Sequence, residues 1–309
     1  MLIDLQLHSI FSDGYLTPSE LVKFAKERQV KVIALTDHNT TAGLKKFREE
    51  AKKKKIKTIT GLELYVKYKN KKMNFLWYNF DENNLKLQRL LEDTRRRRLF
   101  SARKILMKLK KVGYRIEVED VLSSFDNYIP VNHLGDKVIE NKYNYNLIVK
   151  KIKEKMPKKV KLILPLREED VLKELFFNKN IGRLNESYID AERLIKMKKE
   201  IGGQIVFCHP GRYNKYAKNM TERLKVAGII DGIEVLSPHH SIGSIMYSQF
   251  LSEKLDLIAT GGSDFHRFEE SGFLINDAWD WFKIDTKYLR RVDEIINYKK
   301  DFKKSKKVV

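Results

Sequence analysis

The stretch of sequence that decides the fold is Lys31-Val32-Ile33-Ala34-Leu35-Thr36-Asp37-His38. Its first part is apolar and rich in β-branched residues, without polar alternation. That pattern is typical of a strand buried on both faces of a parallel sheet. The run ends on a carboxylate and an imidazole, so it predicts potential metal ligands at the point where a strand ends.

Similar apolar runs lie on both sides of this stretch and are separated by helical patterns. Thr17-Pro18-Ser19-Glu20 predicts a capping box, with proline at the first helical position. Strands followed by helices indicate an α/β barrel, with an open doubly wound sheet as the alternative fold. The seven predicted strands span residues 3–8, 31–36, 58–66, 73–80, 204–208, 232–236 and 257–260.

A long, lysine-rich stretch with a helical pattern separates the two groups of strands. We therefore predict a helical insertion over residues 83–190. The barrel would be discontinuous, formed by residues 1–82 and 191–285. Residues 286–309 are predicted to form a basic C-terminal tail.

The 309 residues carry 62 Lys and Arg against 41 Asp and Glu, a formal net charge of +21. The hydrophobic share of 42% allows a sizeable core and excludes wholesale disorder. The excess is uneven, because residues 201–280 carry only 7 basic and 10 acidic side chains. A basic balance favours nucleic acid as a partner through phosphate neutralisation, with solvated, lysine-rich helix faces as the alternative.

Other features of the sequence concern the cellular compartment. The single cysteine, Cys208, excludes an internal disulfide and fits a reducing environment. No run approaches the roughly 18 apolar residues of a membrane span. The start, Met1-Leu2-Ile3-Asp4, lacks the segments of a secretory signal. We therefore expect a cytoplasmic protein without a membrane partner.

Titratable side chains gather at the predicted strand ends. In a parallel barrel these ends converge on one face, so residues far apart in sequence meet there. Imidazole nitrogen and carboxylate oxygen together suit divalent zinc, manganese and iron. Position alone singles out none of His133, His239 and His240. The residues that it does select are His8, Asp13, Asp37, His38, Glu63, His209, Asp264 and His266.

Five segments that contain these residues follow one another along the chain. They are Asp4-Leu5-Gln6-Leu7-His8-Ser9 with Ser12-Asp13-Gly14, Thr36-Asp37-His38-Asn39-Thr40, Gly61-Leu62-Glu63, Cys208-His209-Pro210-Gly211-Arg212 and Gly261-Gly262-Ser263-Asp264-Phe265-His266. In this order they resemble the motifs of the PHP (polymerase and histidinol phosphatase) superfamily. Within it, the chain is most similar to the branch of nucleoside 3′,5′-bisphosphate phosphatases and RNase AM-type 5′→3′ exoribonucleases. The resemblance implies a distorted seven-stranded (β/α) barrel of PHP type with a helical insertion.

The resemblance also implies one to three divalent ions, each with its own ligands. It assigns one ion to His8, Glu63 and Asp264, a second to Glu63 and His209, and a third to Asp13, His38 and His266.

Two positions depart from the family pattern. Gln6 stands where the first motif normally begins with histidine, and Asn74 is the nearest counterpart of a histidine that enters the fourth strand. An amide oxygen is a harder and weaker donor than imidazole. The departures therefore favour Mn²⁺, with Mg²⁺, Zn²⁺ and Fe²⁺ as alternatives.

The function that the resemblance implies is a phosphoesterase. It would hydrolyse phosphate esters of nucleotides or of 5′-phosphorylated RNA through a metal-activated water. Glu63 and His209 would act at the reacting centre. Asp37 would orient a ligand imidazole or only cap the following helix. Arg212 would bind a substrate phosphate or lie on the surface.

Further substrate contacts are implied in the insertion. Arg95 and Arg98 belong to a run of four arginines that cannot share one helical face, so only one or two of them would bind phosphate. His133 is the third implied contact, with a capping or surface role as the alternative. Two other functions remain open, namely a catalytically weakened RNA-binding module and a phosphatase for a small metabolite such as histidinol phosphate.

Overall fold

The computed structural model describes residues 1–157, 159, 161–179, 181–268 and 283–299. The chain divides into two compact units. Met1–Arg89 together with Tyr188–Val309 form what we call the barrel unit, and Leu90–Ser187 form the helical unit. Within the described residues, no helix has the length and the apolar composition that crossing a membrane requires.

One mixed sheet organises the barrel unit. The described strands pair in the order β8-β7-β6-β4-β3-β2-β1-β9, and β5 pairs with β3 off this path. A bridge between Leu7 and Phe265 brings the two sides of the sheet together and nearly closes it. The strands are β1 (Leu2–Leu7), β2 (Val32–Leu35), β3 (Lys57–Tyr68), β4 (Lys71–Tyr78), β5 (Ile189–Asp190), β6 (Gln204–Phe207), β7 (Gly232–Leu236), β8 (Ile258–Gly261) and β9 (Ile284–Asp285).

This architecture confirms the predicted α/β barrel, with a slightly different number of strands. The seven predicted strands are present, and the two additional ones, β5 and β9, have only two residues each. Such short strands leave no period in the sequence, so the pattern could not indicate them. As predicted, β2 is buried at every position.

Strand direction determines where the strand ends lie. β1, β2 and β3 run parallel to one another, as do β6, β7 and β8. β4 is antiparallel to both β3 and β6, so it distorts the barrel without reversing either group. The other six long strands therefore end at one rim, which we call the barrel mouth.

Helices connect the strands of the barrel unit and build the helical unit. Among the described residues, the 3₁₀ helices Pro210–Tyr216 and Thr286–Tyr288 add to them. The α-helices are α1 (Pro18–Glu27), α2 (Leu44–Lys53), α3 (Leu85–Lys111), α4 (Val118–Ser123), α5 (Val131–Ile139), α6 (Lys142–Lys155), α7 (Glu168–Phe176), α8 (Ala191–Ile201), α9 (Ala217–Val226), α10 (Ile242–Lys254) and α11 (Asp293–Ile296).

The start of α1 confirms the predicted capping box. The Thr17 hydroxyl accepts a hydrogen bond of 3.2 Å from the Glu20 N–H. The Glu20 carboxylate accepts one of 2.7 Å from the Thr17 N–H. Two N–H groups that the helix leaves unpaired are thereby satisfied.

The C-terminal end of the chain differs from the predicted tail. β9 pairs antiparallel with β1, and Leu289, Val292 and Ile295 are buried. The tail was predicted from charge, whereas these buried apolar side chains are spaced three residues apart. The segment 284–298 therefore belongs to the barrel unit, and residues 300–309 of the predicted tail lie outside the described residues.

The helical unit has an apolar core of its own. α3 contributes Ala102, Leu106 and Leu109, and Leu175 and Phe176 of α7 belong to the same core. All five side chains are fully buried. The unit thus has the packed interior of a folded domain.

Candidate metal centre

The structure brings potential metal ligands together at the barrel mouth. In the described part of the chain, three groups of side chains each place their ligand atoms within 4.8 Å of one another. They are connected, because His8 and Glu63 each belong to two of them. The groups are His8, Asp13, His38 and His266; His8, Glu63 and Asp264; and Glu63, Cys208 and His209.

Asp13 lies at the centre of the first group. One carboxylate oxygen is 3.3 Å from His8 Nδ1. The other is 3.4 Å from His38 Nε2 and 3.3 Å from His266 Nε2. The imidazole rings of His8 and His266 stack with their centroids 4.3 Å apart. Three imidazole nitrogens therefore face a single carboxylate.

Glu63 joins the other two groups. Its Oε2 is 3.2 Å from His8 Nε2, which is also 3.1 Å from Asp264 Oδ1. Its Oε1 is 3.4 Å from His209 Nε2. Glu63 lies in β3, and an isolated bridge joins it to His38 at the end of β2. A carboxylate with one oxygen toward each group has the geometry of a bridging ligand.

Gln6 and Asn74 both lie against Glu63. Gln6 Nε2 donates to Oε2 at 2.8 Å and to Cys208 Sγ at 3.3 Å. Asn74 Nδ2 donates to Oε1 at 2.6 Å. The two amides that replace the expected imidazoles thus orient the Glu63 carboxylate through their N–H groups.

Cys208 is a potential ligand that the strand-end pattern did not indicate. Its sulfur is 3.7 Å from Glu63 Oε1, and the side chain is buried. Burial raises the pKa of the Cys208 thiol well above its ordinary value, and the charges of Glu63 and Glu234 raise it further. The thiol is therefore a neutral donor toward Glu63 in this structure.

The electrostatics of the cluster fit divalent cations. Burial raises the pKa of Asp13, Glu63 and Asp264, but the neighbouring imidazoles outweigh it and hold all three pKa values well below their ordinary range. Three carboxylates, of which that of Glu63 is fully buried, are therefore ionised within one small volume, together with nitrogen donors. Gln6 Oε1 and His209 Nδ1 are buried without a hydrogen-bond partner in the described part of the chain. Ionised oxygens and open donor atoms are what Mn²⁺, Zn²⁺ or Fe²⁺ requires.

Two buried acids that we did not select from the sequence support the ligands. Glu234 Oε2 accepts a 2.8 Å hydrogen bond from the backbone N–H of His209, whose φ is 29°. Asp4 Oδ1 accepts from the backbone N–H groups of Gln6 and Ser263, at 3.2 and 2.9 Å. A non-glycine residue at positive φ costs about 1–3 kcal/mol, so His209 needs such support. A charged residue inside an apolar strand, as in Gly232–Leu236, was the signal that could have found Glu234.

Asp37 organises the loop after β1. Its carboxylate accepts hydrogen bonds from the Ser9 N–H at 2.7 Å, the Ser9 hydroxyl at 2.7 Å and the Ser12 hydroxyl at 2.6 Å. This loop connects His8 with Asp13. α2 begins after Gly43 without any side-chain cap, so Asp37 does not cap that helix. These contacts favour a positioning role that acts through the loop backbone.

Arg212 and His239 form a chain that leads to Asp264. Arg212 Nη2 is 3.1 Å from His239 Nε2 and 3.3 Å from its Nδ1. His239 Nε2 is also 2.6 Å from Asp264 Oδ2. His239 follows the β7 strand, and its position alone did not select it from the sequence. Its contact with Asp264 joins residues 25 positions apart, which no local pattern indicates.

His240, the next residue, has a different role. Its Nε2 accepts a 3.1 Å hydrogen bond from the Gly211 N–H. Its Nδ1 lies 2.8 Å from the carbonyl oxygen of Val235. The imidazole therefore ties the segment after β6 to the segment after β7.

The remaining candidate residues belong to the helical unit. The Arg98 side chain is fully buried there, and its Nη2 lies 3.0 Å from Glu186 Oε1. Its Nε and Nη1 donate to the carbonyl oxygens of Ile129 and Asn185, each at 2.9 Å. These contacts favour a structural role over the implied substrate contact. Arg95 is partly exposed and lies 3.7 Å from Glu92, and His133 lies in α5.

Several curated proteins are similar to the chain over most of its length. A phosphoribosyl 1,2-cyclic phosphate 1,2-diphosphodiesterase from Eggerthella lenta is 29% identical over 86% of this chain and 94% of its own. A 3′,5′-nucleoside bisphosphate phosphatase from Chromobacterium violaceum is 26% identical over 94% and 99%, respectively. The 5′-3′ exoribonuclease Rnm from Escherichia coli is 28% identical over 86% of each chain.

The similarity extends to a solved structure and to a family model. A Bifidobacterium adolescentis protein, inferred to be a metal-dependent phosphoesterase, superposes with a TM-score of 0.69 at 21% identity, over 96% of this chain and 95% of its own. That similarity concerns the fold. The model of the PHP domain matches residues 4–230, which is more than half of the 309 residues. The chain therefore belongs to the PHP domain family.

Proposed function

We propose that this protein hydrolyses phosphate esters of nucleotides or of 5′-phosphorylated RNA. The observation that carries the proposal is the convergence of three ionised carboxylates and four imidazoles at the barrel mouth. As a PHP domain protein related to a phosphodiesterase, a phosphatase and an exoribonuclease, the chain is a metal-dependent phosphoesterase. The proposal therefore concerns which phosphate esters it hydrolyses.

Divalent ions, when bound, lower the pKa of water and polarise phosphoryl oxygens, which is the chemistry that ester hydrolysis needs. The residues that would hold them are those of the three ligand groups. Glu63 keeps its charge because His38 and His209 hold its pKa low. The Gln6 and Asn74 amides fix the direction of both its oxygens.

Arg212 is suited to bind a substrate phosphate. Its guanidinium lies beside His239, which contacts Asp264 of the metal centre. A planar guanidinium can donate two parallel hydrogen bonds to a phosphate. Arg212 would thus orient the phosphoryl group relative to the ligand groups.

We propose Mn²⁺ as the native ion. The donor set mixes carboxylates and imidazoles, and the two positions next to Glu63 carry amides in place of further imidazoles. Fewer nitrogen donors weaken the preference for zinc relative to harder ions.

Nucleotides or RNA as substrates are supported by the relatives and by charge. The bisphosphate phosphatase acts on nucleotides, and the exoribonuclease acts on RNA. The helical unit, Leu90–Ser187, carries 23 Lys and Arg against 14 Asp and Glu. A basic unit next in sequence to the barrel would raise the local concentration of polyanionic substrates.

The test is a panel of substrates assayed with metal-loaded protein. Purified protein loaded with Mn²⁺ should release phosphate from adenosine 3′,5′-bisphosphate or mononucleotides from 5′-phosphorylated RNA. Glu63→Gln should lower the rate at least about 100-fold, since even outer partners of metal ligands contribute 10–100-fold. Glu49→Gln makes the same chemical change on the exposed surface of α2 and should leave the rate unchanged.

The proposal is wrong if no substrate turns over with Mn²⁺, Mg²⁺, Zn²⁺ or Fe²⁺. Steeply salt-dependent RNA binding by a protein without metal ions would instead identify a binding module. Turnover of phosphorylated metabolites but not of nucleotides would identify a small-metabolite phosphatase.

A further inference from the structure

A pocket outside the metal centre lies between the β3–β4 hairpin and helix α9. Its volume is about 400 Å³. The hairpin supplies residues at its tip, and the other wall comes from α9 and the residue before it. Among the lining residues are Tyr68, Lys69, Lys71, Tyr216, Met220 and Arg223.

The pocket combines aromatic rings with cations. Lys71 Nζ lies 5.3 Å from the centroid of the Tyr216 ring. Lys69 Nζ lies 5.5 Å from the centroid of the Tyr68 ring. The Tyr216 side chain is 53% exposed, so a planar ligand can reach its ring. Aromatic faces for bases and cations for the backbone are the two elements of a single-strand binding site.

The charge around the pocket is positive. Lys69, Lys71 and Arg223 line it, and no acidic side chain of the described residues does so. The nearby Glu222 lies 3.4 Å from Lys254 Nζ, which offsets its charge. The charge of the pocket is therefore complementary to a polyanion.

Both walls of the pocket continue from elements of the metal centre. Tyr68 follows Glu63 by five positions in β3, which corresponds to about 16 Å at roughly 3.3 Å per residue. The 3₁₀ helix Pro210–Tyr216 begins next to His209, carries Arg212 and ends at Tyr216. The pocket thus lies on the mouth side of the barrel, beyond the ligand groups.

We infer that this pocket binds a nucleotide of single-stranded RNA whose 5′ end lies at the metal centre. Successive nucleotides of a stacked strand rise about 3.4 Å along the strand axis, so about five nucleotides span the distance. The inference rests on the proposed function and narrows its substrate class to oligonucleotides. A base would stack on Tyr216, and Lys71 or Arg223 would contact the neighbouring phosphate.

Tyr216→Ala tests this inference, with Tyr288→Ala as the matched control. Tyr288 is 55% exposed and also has a lysine, Lys287, 4.9 Å from its ring centroid. It follows Thr286, which is hydrogen-bonded to the backbone of Met1 before β1, at the opposite end of the barrel from the mouth. Both variants remove an exposed tyrosine with a lysine near its ring, but only Tyr216 lines the pocket.

The first measurement is kcat/KM with two substrates. Tyr216→Ala should lower the value for a 5′-phosphorylated RNA of ten nucleotides about 5- to 150-fold, the loss expected for one base–aromatic stack. It should leave the value for adenosine 3′,5′-bisphosphate unchanged, and Tyr216→Phe should restore the RNA value. An equal loss with both substrates, or no loss with RNA, would overturn the inference.

The second measurement separates this inference from the proposed function. Binding of fluorescently labelled single-stranded RNA to the protein without metal ions needs no catalysis. Tyr216→Ala should bind more weakly than wild type, whereas Tyr288→Ala should bind equally well. Equal binding by all three proteins, or equal competition by duplex RNA, would reject the pocket even if hydrolysis is found. Absence of hydrolysis combined with weaker binding by Tyr216→Ala alone would reject only the proposed function.

Discussion

Asn74 donates a 2.6 Å hydrogen bond to Oε1 of Glu63, the carboxylate shared by two of the ligand groups. Asn74 thus donates a hydrogen bond to a candidate metal ligand, whereas the family pattern has a histidine at the corresponding position. Metal affinity at the barrel mouth should depend on it through Glu63.

We expect Asn74→Leu to weaken metal binding about 10- to 100-fold, because Glu63 loses the donor that orients it. The measurement is titration of metal-free protein with Mn²⁺ by calorimetry. Asn83→Leu, at an exposed position in the loop before α3, should bind Mn²⁺ like wild type. Unchanged affinity in Asn74→Leu would show that Glu63 does not need this hydrogen bond.

Gln6→His should shift the metal preference toward zinc. Gln6 is fully buried, and its Nε2 lies 2.8 Å from Glu63 and 3.3 Å from Cys208. An imidazole there adds a nitrogen donor, which zinc prefers more strongly than manganese does. Competition between Zn²⁺ and Mn²⁺, followed by elemental analysis, measures the shift. A ratio equal to that of wild type would mean that this position does not contact an ion.

His239→Ala should lower kcat/KM about 10- to 100-fold without lowering the free energy of unfolding substantially. The imidazole lies 2.6 Å from Asp264 and 3.1 Å from Arg212, so its removal leaves both side chains without this contact. His239→Gln retains a hydrogen-bonding group and should recover part of the activity. A matching loss of stability would indicate a structural role instead.

The pH dependence of stability should contain a contribution from His240. Burial lowers its pKa below the ordinary value. The unfolded chain titrates near about 6.5, so the stabilising contribution is complete above that pH and is lost as the pH falls through the folded pKa. Urea unfolding from about pH 7 to about pH 5 measures it. His240→Gln does not titrate, so its free energy of unfolding should decline less. Parallel pH profiles would contradict the prediction.

Arg98→Met should destabilise the protein by about 3–5 kcal/mol, because Glu186 would remain without its buried partner. Arg96 is 72% exposed and pairs with Glu92 on the same helix. Arg96→Met should therefore cost less than about 0.5 kcal/mol. Urea denaturation compares the two. A variant of Arg98 that is stable but binds RNA weakly would instead support the substrate role.

Much of the barrel could be predicted from the sequence, because its signals are local. The apolar run of β2 and the capping box at Thr17 each involve neighbouring residues, and the structure contains both. β9 could not be predicted, since a two-residue strand depends on its pairing with β1 and not on its own pattern. The buried C-terminal segment was not predicted either, because charged residues lie between its apolar positions.

The candidate site likewise has features that the sequence predicts and features that only the tertiary structure shows. The sequence by itself determined which residues lie at strand ends, because strand direction and length place them there. The tertiary structure alone decided which atoms meet: the Gln6 and Asn74 amides orient Glu63, and His239 lies between Arg212 and Asp264. Hydrogen bonds between residues far apart in the chain depend on side-chain directions and distances of a few ångströms. Those are set by the packing of the whole barrel, and no local pattern encodes them.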